Sequence, residues 1–396
     1  DCLTVSSRFR LSMPSSRVKS IQPFYVMDIL ARARELQAQG RDIIHMEVGE
    51  PDFPTPDTVV EAGQQALAAG KTGYTPALGI PELREAVSRW YSERFGVDIP
   101  ARRIVITPGS SMGLQMLISA LADSGDRVLL PDPGYPCNRN FVKLFDAEPV
   151  SLPLSMEDGW LPVPQKIRKY WKERTCALVI ATPSNPTGSV LNLEQLGAIK
   201  KTVSELGGAL IVDEIYQGLS YDVEPVTALS HDAGNLFVVN SFSKYFAMTG
   251  WRLGWLVVPE PWIPVMDRLA QNLYLSAPTI AQYAALAAMR PETVAILEER
   301  RAAFQQRRDF LYPALEALGF GLAGKPEGAF YLYADCSGLT DDSFAFCERM
   351  LEEAGVAITP GKDFSLHEPQ RYLRFAYTTS IERMRLAIER LGKAIR

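Results

Sequence analysis

The sequence is short of the residues from which many enzyme centres are built. Only three histidines, His45, His231 and His367, occur in 396 residues, far apart and in no metal-ligand spacing. A zinc site and a Ser-His-Asp hydrolase are therefore set aside as weak readings. The five cysteines, Cys2, Cys137, Cys176, Cys336 and Cys347, form no CxxC pair and follow no regular spacing. An odd, scattered set in a long chain reads as reduced thiols in a cytoplasmic protein. Positive charge is not in excess either: 41 Lys and Arg stand against 46 Asp and Glu, a net charge of −5. That balance argues against nucleic acid or an anionic membrane surface as a partner. No apolar run approaches the roughly 18 residues needed to cross a bilayer. The first residues, 1–16, lack the apolar core of a secretory signal and read as part of a loose polar arm over 1–20. There are no internal repeats and no low-complexity tracts.

What is present suits a two-domain globular chain: 47% hydrophobic and 22% charged residues over a length that supports sizeable cores. Helical spacing marks 26–39, closed by Gly40, and 56–69, closed by Gly70, and Pro81 suits the first turn of a further helix. From 103 to 258 one pattern recurs. RIVIT runs into PGSS, RVLLP into DPGYP, ALVIA into TPSNPTG, ALIVD into EIY, and LFVVN into SFSK; a sixth run, GWLVVP, follows. Short, continuous runs rich in Val, Ile and Leu are strands buried on both faces, so the expected fold is α/β, a mainly parallel or mixed sheet flanked by helices. Residues 291–318 read as a long charged helix with Pro313 a possible kink or break. GAFYLYADCS and RYLRFAYTTS read as strands, each followed by a helix, in a smaller α+β unit. The expected division is 49–290 for the large domain and 21–48 plus 291–396 for the small one.

Ligands in such sheets bind at the carboxyl ends of the strands, where this sequence places its polar residues. In SFSKYFAMTGWRLGW (241–255), Lys244 follows a buried strand. A poorly solvated lysine has an amine that is accessible near pH 7 and able to form a Schiff base with an aldehyde. Gly109, Ser110 and Ser111 open a helix, where free N–H groups and hydroxyls suit an anion; Ser241 and Arg252 add to that site. Asp213, at the end of ALIVD, needs a cationic or N–H partner such as a protonated ring nitrogen. Tyr216 offers a phenol, Asn185 an amide hydrogen, and Tyr135 a flat face for stacking. Singly, each has a plain structural explanation. Together they fit one ligand with a phosphate, a basic aromatic ring, a phenolic oxygen and an aldehyde: pyridoxal 5′-phosphate.

From about Pro23 to its C-terminus, the chain resembles the fold-type-I pyridoxal-phosphate-dependent aminotransferases of class I/II, the aspartate aminotransferase-like family. SFSKYFAMTGWRLG, NPTG, DEIY and the arginine of YLRFAY carry the resemblance in family order. It implies that Lys244 holds the cofactor's aldehyde and then acts as general base, with Asp213 on the ring nitrogen, Asn185 and Tyr216 on the ring hydroxyl, and Tyr135 on the ring face. It also implies that Ser110, Ser111, Ser241, Ser243 and Arg252 hold the phosphate. Tyr74, in GYTP, resembles a tyrosine that reaches the neighbouring subunit's phosphate, so a homodimer with shared active sites is expected. Gly49, in VGEPDF, matches a loop glycine beside the substrate, and Arg374 matches the arginine that takes the substrate carboxylate. Arg371, three residues away, faces the other side of an extended segment and is expected in solvent.

The resemblance implies ping-pong transfer of an amino group between an amino acid and a 2-oxo acid. Dicarboxylate-specific relatives place an arginine in the segment corresponding to QNLYLSAPTIAQ. None is present here, where Asn272 or a neighbour occupies the region, so a neutral, branched-chain or aromatic donor is expected, with 2-oxoglutarate or pyruvate as acceptor. A lyase, a decarboxylase or a synthase on the same scaffold shares these residues. A non-enzymatic regulator would use the same fold to bind an effector and carry a basic DNA-binding domain ahead of it.

Overall fold

In the computed structural model, residues 13–395 are described. Cys2 and positions 1–12 of the expected arm lie outside them. Within the rest of that arm, Ser16–Lys19 forms one helical turn capped by the Ser15 hydroxyl.

The apolar runs assemble into one seven-stranded sheet. Its spatial order is Ile104–Thr107, Gly254–Val257, Leu236–Ser241, Ala209–Asp213, Thr175–Ala181, Arg127–Asp132, Glu148–Pro153. Gly254–Val257 runs antiparallel to both its neighbours. The other pairings are parallel. The runs are continuously apolar because helices cover both faces. Successive side chains point to opposite sides of a strand: Phe237 and Val239 join one core, packed with Leu114, Leu117 and Met266, while Leu236 and Val238 join the other. The sheet topology brings five strand ends, after Thr107, Asp132, Ala181, Asp213 and Ser241, to one edge. The turn into the antiparallel Gly254–Val257 strand lies at that same edge.

A second, antiparallel sheet pairs Tyr372–Ala376 with Tyr331–Asp335 on one side and Thr359–Pro360 on the other. Ile44–His45 pairs in parallel with Val356–Ala357, which joins the start of the chain to its last hundred residues. Pro291–Ala317 is a single 27-residue helix in which Pro313 sits without ending it, so the break expected there is absent. Its burial is not purely apolar. Arg308 is 1% exposed; it donates to the Pro326 carbonyl at 2.9 Å, pairs with Asp222 at 2.6 Å, and lies 5.0 Å from the centre of the Tyr221 ring. Arg307 grips both oxygens of Asp52 at 2.7 and 2.9 Å, tying the helix to the loop after Gly49.

These differences in burial rank the ion pairs. Arg308→Ala is expected to cost about 3 kcal/mol, through lost packing and an orphaned carbonyl. Lys393→Ala, which removes an exposed pair with Glu389, is expected to cost under about 0.5 kcal/mol. Urea unfolding midpoints of the two variants check the ranking.

Candidate active site

The loops at the common sheet edge line a cavity of about 390 Å³, which also takes in Val48–Glu50, Tyr331 and Arg374 from beyond the sheet. Lys244 leaves the end of the Leu236–Ser241 strand and its Nζ donates to the Gly49 carbonyl at 2.6 Å. Burial lowers its pKa to about 8, helped by the positive charge of Arg374 and opposed by Glu50. The amine is thus partly neutral near physiological pH. Gly49 is required by close approach: a Cβ there would sit 2.5 Å from the Tyr331 hydroxyl.

Asp213 closes the neighbouring strand. Among the described residues, its carboxylate accepts a hydrogen bond from the Ile215 N–H at 3.0 Å. Burial raises its pKa to about 7, against the opposing pull of that N–H and of Lys244. A carboxylate so placed is incomplete without a cationic N–H partner. Tyr216 shares a 2.6 Å hydrogen bond with Tyr331, hydroxyl to hydroxyl, and burial drives its phenol well above the ordinary value. Tyr135, just before the Pro136–Leu144 helix, presents its ring to the cavity wall, and burial raises its phenol too.

Arg374 comes from the second sheet. Its Nη1 donates to Asn185 Oδ1 at 2.9 Å and its Nη2 to the Glu47 carbonyl at 2.7 Å. The guanidinium lies 4.2 Å from the centre of the Tyr331 ring and 4.7 Å from that of Phe364. With Asn185 Oδ1 engaged, its NH₂ is the group left for a ligand oxygen. Arg374 Nε, buried and without a partner among the described residues, marks unfilled donor capacity. Arg371, expected in solvent, is partly exposed and lies outside the cavity, where its Nε donates to Asp335 Oδ2 at 2.8 Å. Asp335 needs that partner because it is itself mostly buried.

At the other end of the cavity, Ser110 and Ser111 stand in the first turn of the Gly109–Leu121 helix, with Ser243 and Arg252 beside them. Arg252 and Ala247 both adopt left-handed backbone (φ 53° and 52°), uncommon for residues with a side chain and a mark of local strain. That conformation lets Arg252 Nη1 donate to the Thr249 carbonyl at 2.9 Å and lays the guanidinium over Gly109. Gly109 is also left-handed, at φ 77°, and a Cβ there would come within 2.5 Å of Arg252 Nη2. The result is a cradle of helix N–H groups, hydroxyls and one cation, suited to an anion.

Three expected residues do not line the cavity. Gly109 lies under Arg252. Ser241 is buried, its hydroxyl donating to the Leu253 carbonyl at 3.3 Å and accepting from the Ser243 N–H at 3.0 Å. Tyr74 is 82% exposed and points elsewhere. Conversely, Glu50, Thr249 and Tyr331 line it without having been singled out. Glu50 and Thr249 meet at 2.5 Å, hydroxyl to carboxylate. Both stand inside stretches already marked by Gly49 and Lys244, which was the available signal; Tyr331 gave none beyond being aromatic in a strand.

Asp213 and Glu214 make the stability of the cofactor-free protein depend on pH. Burial raises the folded-state pKa of Asp213 from 3.8 to about 7 and that of Glu214 from 4.5 to about 8. The folded state therefore binds more protons than the unfolded state across that window. Stability is fully present below the unfolded values and is lost as pH rises through the folded ones. The melting temperature of the cofactor-free protein is expected to fall between about pH 5 and pH 8, and to fall less in Asp213→Asn.

A family model described as aminotransferase class I and II matches residues 41–391. The chain is 38% identical to a valine–pyruvate aminotransferase of Mycobacterium tuberculosis, over 94% of this chain and 96% of the relative. It is 37% identical to an aspartate/prephenate aminotransferase of Thermus thermophilus, over 96% of this chain and 98% of the relative. A crystal structure of an aminotransferase from M. tuberculosis superposes with a TM-score of 0.93 at 38% identity, covering 96% of this chain and 98% of that one. The T. thermophilus aspartate aminotransferase with maleate gives 0.92 at 36% identity, covering 97% and 100%. With this fold and this cavity, the chain belongs to the class I and II aminotransferases, enzymes that use pyridoxal phosphate.

Proposed function

We propose that this aminotransferase moves the amino group of a neutral, branched-chain or aromatic L-amino acid to 2-oxoglutarate or pyruvate, with Lys244 as proton carrier and Arg374 as the carboxylate anchor. The observation that carries the reading is the placement of a partly neutral lysine amine, an incompletely paired buried carboxylate and an arginine with unfilled donors in one cavity.

These residues fit pyridoxal phosphate: Lys244 for its aldehyde, Asp213 for the ring N–H, Tyr135 for the ring face, and Asn185 and Tyr216 for the ring oxygen. Ser110, Ser111, Ser243 and Arg252 suit its phosphate, with Gly109 leaving room for Arg252. Ser241, whose hydroxyl accepts from the Ser243 N–H, is proposed on the same phosphate side. The bound cofactor supplies an aldehyde and an electron-withdrawing ring. Asp213 keeps the proton on the ring nitrogen. Arg374 takes the substrate carboxylate through a planar fork that a lysine would not reproduce. With the cofactor bound, the Lys244 amine would accept the proton from the amino acid's α-carbon and release it again as the amino group is transferred. An oxo acid then runs the same transfers backwards, which predicts ping-pong kinetics.

The donor preference rests on the segment 271–282, which carries no arginine. There Asn272 donates its amide to the Arg268 carbonyl at 2.7 Å and is exposed. The valine–pyruvate name of one relative is in keeping with a neutral donor. A second reading, a dicarboxylate donor, has the aspartate/prephenate relatives in its favour. We further propose a homodimer in which the exposed Tyr74 reaches the partner's phosphate site. In the same reading, residues 21–48 and 291–396 close over the substrate as a unit, and the free thiols of Cys137, Cys176, Cys336 and Cys347 suit a cytoplasmic setting.

The loaded enzyme, mixed with amino acids one at a time, is expected to lose its visible absorbance fastest with a neutral donor; aspartate as the best donor by a wide margin would favour the dicarboxylate reading. Lys244→Ala is expected to lower the rate at least about a thousandfold. Arg374→Lys is expected to raise KM about tenfold or more while the cofactor stays bound. Steady-state kinetics with absorbance spectra check both.

A further inference from the structure

One short extended segment touches both ends of the proposed chemistry. The Glu47 carbonyl accepts from Arg374 Nη2 at 2.7 Å, and the Gly49 carbonyl accepts from Lys244 Nζ at 2.6 Å. The segment is held on both sides by backbone: Met46 N–H donates to the Ala357 carbonyl at 2.9 Å and Ala376 N–H to the Met46 carbonyl at 2.7 Å. Thr359 Oγ1 also donates to the Glu47 carbonyl, at 3.1 Å.

The side chain of Glu47 has no place in the cavity. It is fully buried, and Oε2 has no partner among the described residues. Its other oxygen, Oε1, lies 2.7 Å from His45 Nδ1, two residues back and so on the same side of the segment. A buried carboxylate with one partner depends on that partner's charge. His45 is half-buried and reachable by solvent protons; besides Glu47, the charged groups facing it are Arg34 from the Tyr25–Ala38 helix and Arg383 from the Ile381–Ile395 helix. Arg383 is already committed to Asp42, at 2.7 and 3.0 Å. Among the described residues, His45 Nδ1 is the side-chain partner of the Glu47 carboxylate, and its imidazolium form adds a counter-charge to that hydrogen bond.

We propose that His45 and Glu47 are a positioning pair beneath the carboxylate-binding arginine: when His45 is protonated, the Glu47 side chain is paired and its carbonyl holds Arg374 in place for the substrate carboxylate. When His45 is neutral, the buried carboxylate is uncompensated, the segment loosens, and carboxylate binding weakens. The inference rests on the transamination reading. The Glu47 hydrogen bond raises the imidazole pKa above its ordinary 6.5, against the opposing effect of burial, so the transition lies above that of a free imidazole.

The test uses the cofactor-loaded enzyme and the KM of the oxo-acid acceptor, which itself has no group titrating in this range. Between about pH 6 and pH 9, wild-type KM is expected to rise about fivefold, the scale of one partly exposed ion pair, with variant-to-variant kcat differences within about twofold. His45→Asn and Glu47→Gln are expected to hold KM near the high value throughout. His45→Lys, with a permanent charge, is expected to hold it near the low value. Opposite displacements by the two His45 variants would not arise from a purely structural role. The inference is overturned if every variant keeps the wild-type profile, if both His45 variants shift KM in the same direction, or if kcat falls in step with the loss of binding. A loaded enzyme that converts no amino acid at all would overturn the reaction reading and this inference together, and the absorbance response to amino acids tells the two failures apart.

Discussion

The structure depends on removing one lysine amine from water. Lys244 stands where a strand buried on both faces runs out, and its amine is left with the carbonyl of Gly49. Burial favours the neutral form, and the Arg374 charge adds to the effect. An exposed lysine would be almost wholly protonated and useless as a base at neutral pH. The doubly covered sheet is what provides this environment, since its edge is the place where polar groups must emerge without being fully hydrated. Asp213 obeys the same rule with the opposite sign: burial keeps its proton on. The pair thus meets in the middle of the pH range, from opposite directions and for one cause.

That geometry also explains where strain is kept. The lysine loop contains two left-handed residues, Ala247 and Arg252, and the turn it faces contains Gly109, also left-handed. Each such position carries a conformational cost of order 1 kcal/mol or more unless it is glycine. The surrounding core supports it: Phe242, Phe246 and Trp255 pack ring against ring beneath the loop, with centroids 4.9 to 6.4 Å apart. The aromatic residues flanking Lys244 are therefore the rigid bed of the site, and the polar ones its working surface.

Much of this was legible in the sequence because the fold leaves few options. Strands covered on both faces must be continuously apolar, so six of the seven stood out. The seventh, Glu148–Pro153, has only Leu152 fully buried and so lacks a continuous apolar run, whereas the strand at the other edge, Ile104–Thr107, is buried throughout and keeps one. Pro313 was misleading for the opposite reason: a 27-residue helix packed along its length tolerates one missing N–H. In the site, Asp213, Asn185 and Lys244 were visible because polar residues at the ends of apolar runs are conspicuous. Tyr331 was invisible, since an aromatic in a buried strand looks like core until its hydroxyl is seen to meet Tyr216. Arg308 was hidden similarly, as a charge on a charged helix that proves to be fully buried. Glu47 stood beside the glycine loop with no signal of its own, and only the fold brings its carbonyl to Arg374.

The central claim is that the buried amine of Lys244 is the group that meets the cofactor's aldehyde. Borohydride reduction of the protein loaded with pyridoxal phosphate, followed by mass mapping of the peptides, tests it directly. A single reduced adduct is expected on Lys244, within the stretch SFSKYFAMTGWR, and none in Lys244→Ala. A stable adduct on another lysine, or an undiminished yield of adduct in that variant, would contradict it.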